Sequence, residues 1–230
     1  MKSSSLVPRQ VLDGLKEYIP GTSIEEVKAK YNLEDVIKLA SNENPLGCPL
    51  STQQLQETIQ TSSLYPFMTS PELIKALSLH FSIDKDHFIF GNGSDDIMQM
   101  IALAFINEGD EIITSEHTFS VYSQVGKVMG ATIVEAPMKA FTYDPHAIHD
   151  KITNKTKVIF IANPNNPTGT MIPSQTLIKF IKTVPKDIII VLDEAYMDYV
   201  SINDQPQSIE WLETYPNLIV LRTFSKLYGL

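Results

Sequence analysis

Val158-Ile159-Phe160-Ile161-Ala162 runs directly into Asn163-Pro164-Asn165-Asn166-Pro167-Thr168-Gly169. After a helical pattern over 174–183, a second apolar run, Ile188-Ile189-Ile190-Val191-Leu192, ends in Asp193-Glu194-Ala195-Tyr196. Two unbroken apolar runs separated by a helix are the mark of a parallel sheet, whose strands are buried on both faces and have no polar side to alternate. The rhythm extends in both directions. Upstream, 87–90 is followed by a helical pattern over 95–105, 111–114 by 120–129, and 132–135 by 145–152; downstream stand a helix over 209–215 and a strand over 218–221. Ser70-Pro71-Glu72, ahead of Leu73, Ala76, Leu77 and Phe81, predicts a further helix with a serine cap and proline in its first position. The expected fold is α/β, a mostly parallel sheet with helices on both faces. Ligands of such sheets sit outside the carboxyl ends of the strands, so the residues just after each run are where chemistry is expected.

Composition narrows the function classes. The 230 residues suffice for one large domain, or one domain with an appendage; 43% are hydrophobic, 20% are charged, and the mean hydropathy is −0.04. These are the proportions of a globular chain, not of a disordered or membrane-spanning one. A net charge of −9 and only two arginines, Arg9 and Arg222, argue against a nucleic-acid surface. The apolar runs are too short to cross a bilayer, which takes about 20 residues. Cys48 is the single cysteine, so no internal disulfide can form, and with no secretory leader evident a cytoplasmic protein is expected. His146 and His149 have a possible metal spacing but no evident third ligand, so no metal site is expected.

Four strand ends carry polar or glycine-rich residues. Gly91-Asn92-Gly93-Ser94-Asp95-Asp96 opens a helix whose first N–H groups favour an anion, although a glycine turn with a polar helix cap is also ordinary structure. Asn163–Gly169 is a rigid, hydrogen-bonding loop or a plain turn. Asp193 and Tyr196 place a carboxylate and a phenol on the same edge. A nucleotide hydrolase could end a strand that way, but no glycine loop closing in Gly-Lys-Ser/Thr is present. Arg222-Thr223-Phe224-Ser225-Lys226 follows the last run, where a lone lysine is usually surface.

Taken together and in this order, the four ends resemble the fold-type I pyridoxal-phosphate aminotransferases, and within them the histidinol-phosphate aminotransferase branch. The resemblance also rests on Leu39–Gly47 with its Ser-Asn-Glu-Asn-Pro segment, on Leu64-Tyr65-Pro66, and on Thr118-Phe119. It implies pyridoxal 5'-phosphate as cofactor. Lys226 is then the amine that forms the Schiff base and shuttles the proton. Asp193 holds the pyridine nitrogen protonated, and Tyr196 and Asn166 bond the ring's phenolic oxygen. Gly93, Ser94 and Asp95, with Ser225 and Thr223, hold the phosphate. Phe119 stacks on the ring where relatives often have tyrosine, and Tyr65 reaches the phosphate across a homodimer interface. Tyr18 and Asn44 are expected near the substrate. By the same resemblance, residues 1–45 form an N-terminal arm contributing to a small domain, and residues 46–230 form the cofactor-binding large domain.

The implied reaction exchanges the amino group of L-histidinol phosphate with 2-oxoglutarate, yielding imidazole acetol phosphate and L-glutamate. An aromatic-amino-acid transaminase, a phosphothreonine decarboxylase, or a non-catalytic cofactor-binding remnant would share these ring-binding residues. The chain stops at Leu230, four residues past Lys226, whereas relatives continue into further anion-binding arginines, a sheet strand and most of the small domain. A truncated large domain, poorly stable and inactive alone, is therefore expected.

Overall fold

The computed structural model describes residues 9–12, 15, 21–67 and 69–230. Three helices come first: α1 (Ile24–Tyr31), α2 (Thr52–Thr61) and α3 (Pro71–Phe81). Two begin in capping boxes. Ser23 and Ser51 each accept the N–H of the third helical residue, Glu26 or Gln54, whose side chain returns the bond to the serine backbone. The helix at Pro71 forms as expected, but not by the expected cap. Ser70 lies in the left-handed region, at φ 44°, and its hydroxyl makes no capping bond, so proline in the first turn sets the helix start.

Then come α4 (Gly93–Phe105), β1 (Glu111–Ser115), α5 (Val121–Met129), β2 (Thr132–Ala136), a short hairpin β3 (Met138–Lys139) and β4 (Thr142–Tyr143), and α6 (Pro145–His149). The chain closes with β5 (Thr156–Ala162), α7 (Ser174–Thr183), β6 (Ile189–Asp193), α8 (Ser208–Trp211) and β7 (Leu218–Leu221). The expected run at 87–90 is not a strand. Residues 85–87 form a 3-10 turn, and 88–92 pair with nothing in the sheet, although β2 and β7 each leave an outer edge open.

The main sheet has the order β2-β1-β5-β6-β7, and every pairing is parallel. From β1 the chain steps outward to β2; from β5 it steps the opposite way through β6 to β7. Right-handed crossovers then put α5 and α7 on opposite faces. α4 packs on α5, and α6 on α7, completing a layer on each side. Burial follows this order. Along β5 six of seven residues are buried, and along β6 four of five, whereas β2 at one edge buries only Ala136. Gly126 lets α5 sit directly on the sheet, because a Cβ there would stand 2.5 Å from Ile112 Cδ1 and 2.6 Å from Ile133 Cδ1. The reversal of direction between β1 and β5 leaves a crevice at their carboxyl ends. No helix among the described residues is long and apolar enough to cross a membrane.

Candidate active site

A cleft of about 890 Å³ opens at that crevice. Its polar wall is made of strand ends and a helix start, while the bodies of α4 and α5, through Leu103 and Val128 among others, close its apolar side. Phe119 follows β1; Pro164 and Asn166 follow β5; Asp193 ends β6, with Tyr196 beyond it; Thr223, Ser225 and Lys226 follow β7; Gly93, Ser94 and Asp95 begin α4. Of the residues the sequence singled out as site candidates, ten therefore meet in one place. Tyr65 does not join them, being fully exposed outside the cleft. Asn44 lies next to the wall, its Nδ2 donating to the Leu227 carbonyl at 2.6 Å. Tyr18 falls outside the described residues.

The deep end is built around Asp193. Its carboxylate is buried, with Oδ2 accepting from the Tyr122 hydroxyl at 2.6 Å and Oδ1 from the Ala195 N–H at 3.0 Å. Burial pushes the carboxyl above its ordinary value, while Tyr122, the Ala195 N–H and Lys226 favour the ionised form. Tyr122 is raised well above the ordinary phenol value, first by burial and then by the Asp193 charge, so its hydroxyl stays protonated and donating. Glu194, the next residue, points elsewhere. Its Oε2 accepts from Arg222 Nε at 2.8 Å and pairs with a terminal guanidinium nitrogen at 2.7 Å. Burial raises Glu194 to about 7 against the pull of Arg222. Ser208 eases it from outside hydrogen-bond geometry, leaving Glu194 Oε1 without a partner among the described residues. Arg222 is thus committed to bridging the ends of β6 and β7, with Asp198 at 3.7 Å, and does not line the cleft.

At the other end, α4 faces the turn after β7. A Cβ on Gly93, whose φ is 73°, would lie 4.0 Å from Ser225 Oγ. The Thr223 hydroxyl donates to Ser225 Oγ at 3.0 Å and accepts the Ser225 N–H at 3.1 Å. First-turn N–H groups without helical partners opposite two hydroxyls make an anion cradle. Asp95 stands at its exposed mouth, its carboxyl raised by partial burial and held down by Lys226.

Between the ends, Lys226 Nζ lies 5.8 Å from the Tyr196 ring centroid. The Tyr196 hydroxyl accepts from Asn42 Nδ2 at 2.9 Å and from Asn166 Nδ2 at 3.5 Å. The Asn166 loop is itself tied down. Asn165 donates to the His117 carbonyl at 3.1 Å and accepts from the Thr118 hydroxyl at 2.7 Å; Thr118 also bonds Tyr143, whose hydroxyl burial pushes up to about 12.

Sequence reading missed Tyr122, Asn42 and the Arg222–Glu194 pair. Tyr122 had a signal, since it stands three residues past Phe119 at the start of a helix, a spacing that keeps both near one face. Asn42 lay inside the Ser-Asn-Glu-Asn-Pro segment, but nothing in the sequence distinguished it from Asn44. The donor set suits a ring bearing an aldehyde, a basic nitrogen and a phosphate: an amine, a buried carboxylate, two groups for a ring oxygen, an aromatic face and an anion cradle, within a volume ordinary for small-molecule sites.

A likeness to solved structures places this arrangement in the fold of the pyridoxal-phosphate-dependent transferases. Histidinol-phosphate aminotransferase from Sinorhizobium meliloti, solved in complex with pyridoxal-5'-phosphate, superposes with a TM-score of 0.85 at 23% identity, over 100% of this chain and 61% of that one. The family model for aminotransferase class I and II matches residues 34–230, and the chain belongs to that family. Histidinol-phosphate aminotransferase from Caldicellulosiruptor saccharolyticus is 45% identical over 223 residues, which cover 96% of this chain and 62% of the relative. That from Bacillus velezensis is 44% identical, covering 96% and 62%. The chain thus spans about three fifths of the length of these curated relatives.

Proposed function

We propose that the protein is a pyridoxal-phosphate-dependent aminotransferase of histidine biosynthesis, acting in the cytoplasm. It exchanges the amino group of L-histidinol phosphate with 2-oxoglutarate. Residues 1–45 serve as the arm and residues 46–230 as the cofactor-binding domain. The observation that carries this reading is the convergence of Lys226, Asp193, Tyr196 and Asn166 on one cleft, opposite the cradle at Gly93–Asp95. The identity of 41–45% to the curated relatives supports the choice of substrate.

Pyridoxal phosphate, when bound, supplies an aldehyde that captures amines and a ring that accepts the electrons of a carbanion. The chain's own part is positional and acid–base. Lys226 Nζ would provide the amine that the aldehyde captures, and as a free amine in the cleft it would hold and pass the proton of the substrate carbon. Asp193, with both carboxylate oxygens hydrogen-bonded, would hold a proton on the ring nitrogen. Tyr196 and Asn166 would stabilise a ring oxygen, and Phe119 would offer an aromatic face to the ring. Thr223, Ser225 and the α4 N-terminus would hold the phosphate and so orient the group relative to Lys226.

A homodimer completes the reading. Leu39, Leu46 and Tyr65 stand 88%, 92% and 102% exposed, an apolar surface that a second copy would cover. The test is a half-reaction panel. Protein loaded with cofactor is mixed in turn with L-histidinol phosphate, L-phenylalanine and O-phospho-L-threonine while the cofactor spectrum is followed. Amino transfer fastest from histidinol phosphate is expected. Preference for phenylalanine, or carbon dioxide release from phosphothreonine, would overturn the substrate assignment.

A further inference from the structure

We propose that Tyr122 is a positioning residue for Asp193, whose carboxylate it fixes so that the proton shared with a bound pyridine ring rests on the ring nitrogen and not on Asp193. This rests on the reading of the cleft as a pyridoxal-phosphate site.

The two residues lie 71 positions apart, on α5 and at the end of β6. Tyr122 is wholly buried and cannot swing away: its ring stacks on Phe160 of β5 at 5.0 Å and 11°, and meets Phe119 edge-on at 5.8 Å and 85°. The hydroxyl therefore has one fixed direction, toward Asp193 Oδ2 at 2.6 Å. With Oδ1 held by the Ala195 N–H, the carboxylate is clamped at both oxygens, and a lone pair remains for a ring nitrogen. A hydrogen bond to an ionised acceptor is roughly twice as strong as a neutral one, and buried in a fixed direction it acts in full.

Proton placement follows from the balance of groups around Asp193. Burial favours the neutral acid, and Asp95 at the start of α4 works the same way. Glu194, the adjacent carboxyl, and Tyr143 on β4 also couple to Asp193 unfavourably. Lys226 opposes them from beyond β7, through charge alone. Tyr122 is the one side chain among the described residues whose hydrogen bond to Asp193 offsets burial. Without its hydroxyl the carboxylate becomes the stronger base. A single proton between carboxylate oxygen and ring nitrogen then moves onto oxygen, leaving an uncharged ring that is a poor electron sink. Tyr122 lines the deep wall of the cleft with no exposed surface of its own and spends its hydroxyl on Asp193, so it is placed to act through that carboxylate.

Tyr122→Phe removes the hydroxyl and keeps the stacked ring. The first measurement uses the cofactor-free 230-residue chain: a carbon-13 NMR titration of aspartate carboxyls, with Asp193 assigned by its loss in Asp193→Asn. The Tyr122→Phe variant is expected to raise the proton affinity of Asp193 about tenfold, a midpoint about one pH unit higher. Placing 3-fluorotyrosine at position 122, a more acidic donor of nearly the same shape, is expected to move the midpoint down. The second measurement follows nitrogen-15 in the ring of bound pyridoxal phosphate, whose resonance is expected to move toward the unprotonated value in Tyr122→Phe. A purely structural role would lower thermal stability and leave both signals in place. An Asp193 midpoint unchanged in both substituted proteins overturns the proposal. Should the parent chain bind no pyridoxal phosphate while the midpoints still move, the reading of the cleft falls and the Tyr122–Asp193 coupling stands.

Discussion

The first two fifths of the molecule and the remainder are built on different physics. Of the described residues before Ile97 none is buried, whereas β1, β5 and β6 are almost wholly so. The early helices span 8, 10 and 11 residues, lengths that are marginal in water, and they rely on caps and on proline at a helix start. Large apolar groups such as Ile37, Leu39, Leu46 and Tyr65 face solvent there. What joins this region to the rest near the cleft is polar: Asn42 on the Tyr196 hydroxyl and Asn44 on the Leu227 carbonyl. The sheet half thus holds the reactive groups in a dense core, while the arm reaches them through a few hydrogen bonds. The site's rigid parts and its adjustable part are accordingly separate.

The sharpest way to break this comparison is to cut matching holes in each half. Phe160→Ala, in the buried β5 stack, is expected to cost about 3–5 kcal/mol in urea unfolding. Ile59→Ala, on the exposed face of α2, should cost under about 0.5 kcal/mol in the same experiment. Equal costs would show that α2 is folded into the same cooperative core.

Next in size is Glu194→Gln, which tests the core's own polar seam. Because burial raises the folded-state value of Glu194 to about 7 from an ordinary 4.5, its contribution to stability is fully present below pH 4.5 and is lost as pH rises to about 7. The glutamine variant lacks that loss. Its stability relative to the parent is therefore expected to improve between pH 5 and pH 8 by more than about 1 kcal/mol, read from melting curves at each pH. A difference that is flat with pH would mean that Arg222 keeps Glu194 ionised throughout.

Asn42→Ala removes one latch between the halves. The loss of a single neutral hydrogen bond, about 0.5–1.5 kcal/mol, is expected to weaken pyridoxal-phosphate binding by roughly two- to tenfold without changing the unfolding midpoint. The smallest global effect belongs to Ser23→Ala. Loss of the capping box should speed hydrogen exchange within α1, corresponding to about 1 kcal/mol locally, and leave the sheet amides as protected as before.

The sheet half was legible because its signals are local. Unbroken apolar runs at 158–162 and 188–192 could be little else, and a glycine, asparagine, aspartate or lysine just beyond a strand end marks the crevice without any knowledge of packing. The run at 87–90 misled because apolar composition alone does not pair a strand; that needs a neighbour, and none of the five strands takes this run as a partner. Ser23-x-x-Glu26 and Ser51-x-x-Gln54 were readable as helix starts and were passed over. Other features could not be read at all. Tyr122 meets Asp193 across 71 residues and Asn42 meets Tyr196 across 154, contacts fixed only once strand order and register are set. Arg222, the one arginine near the lysine, invites assignment to an anion, yet Glu194 claims it through a side chain pointing away from Asp193.

Borohydride reduction of the chain in the presence of pyridoxal phosphate, followed by peptide mapping, tests most directly the claim that these strand ends form one cofactor site. The cofactor mass is expected on Lys226 alone, with labelling strongly reduced in Asp193→Ala. Labelling spread over surface lysines, or absent from Lys226, would contradict it.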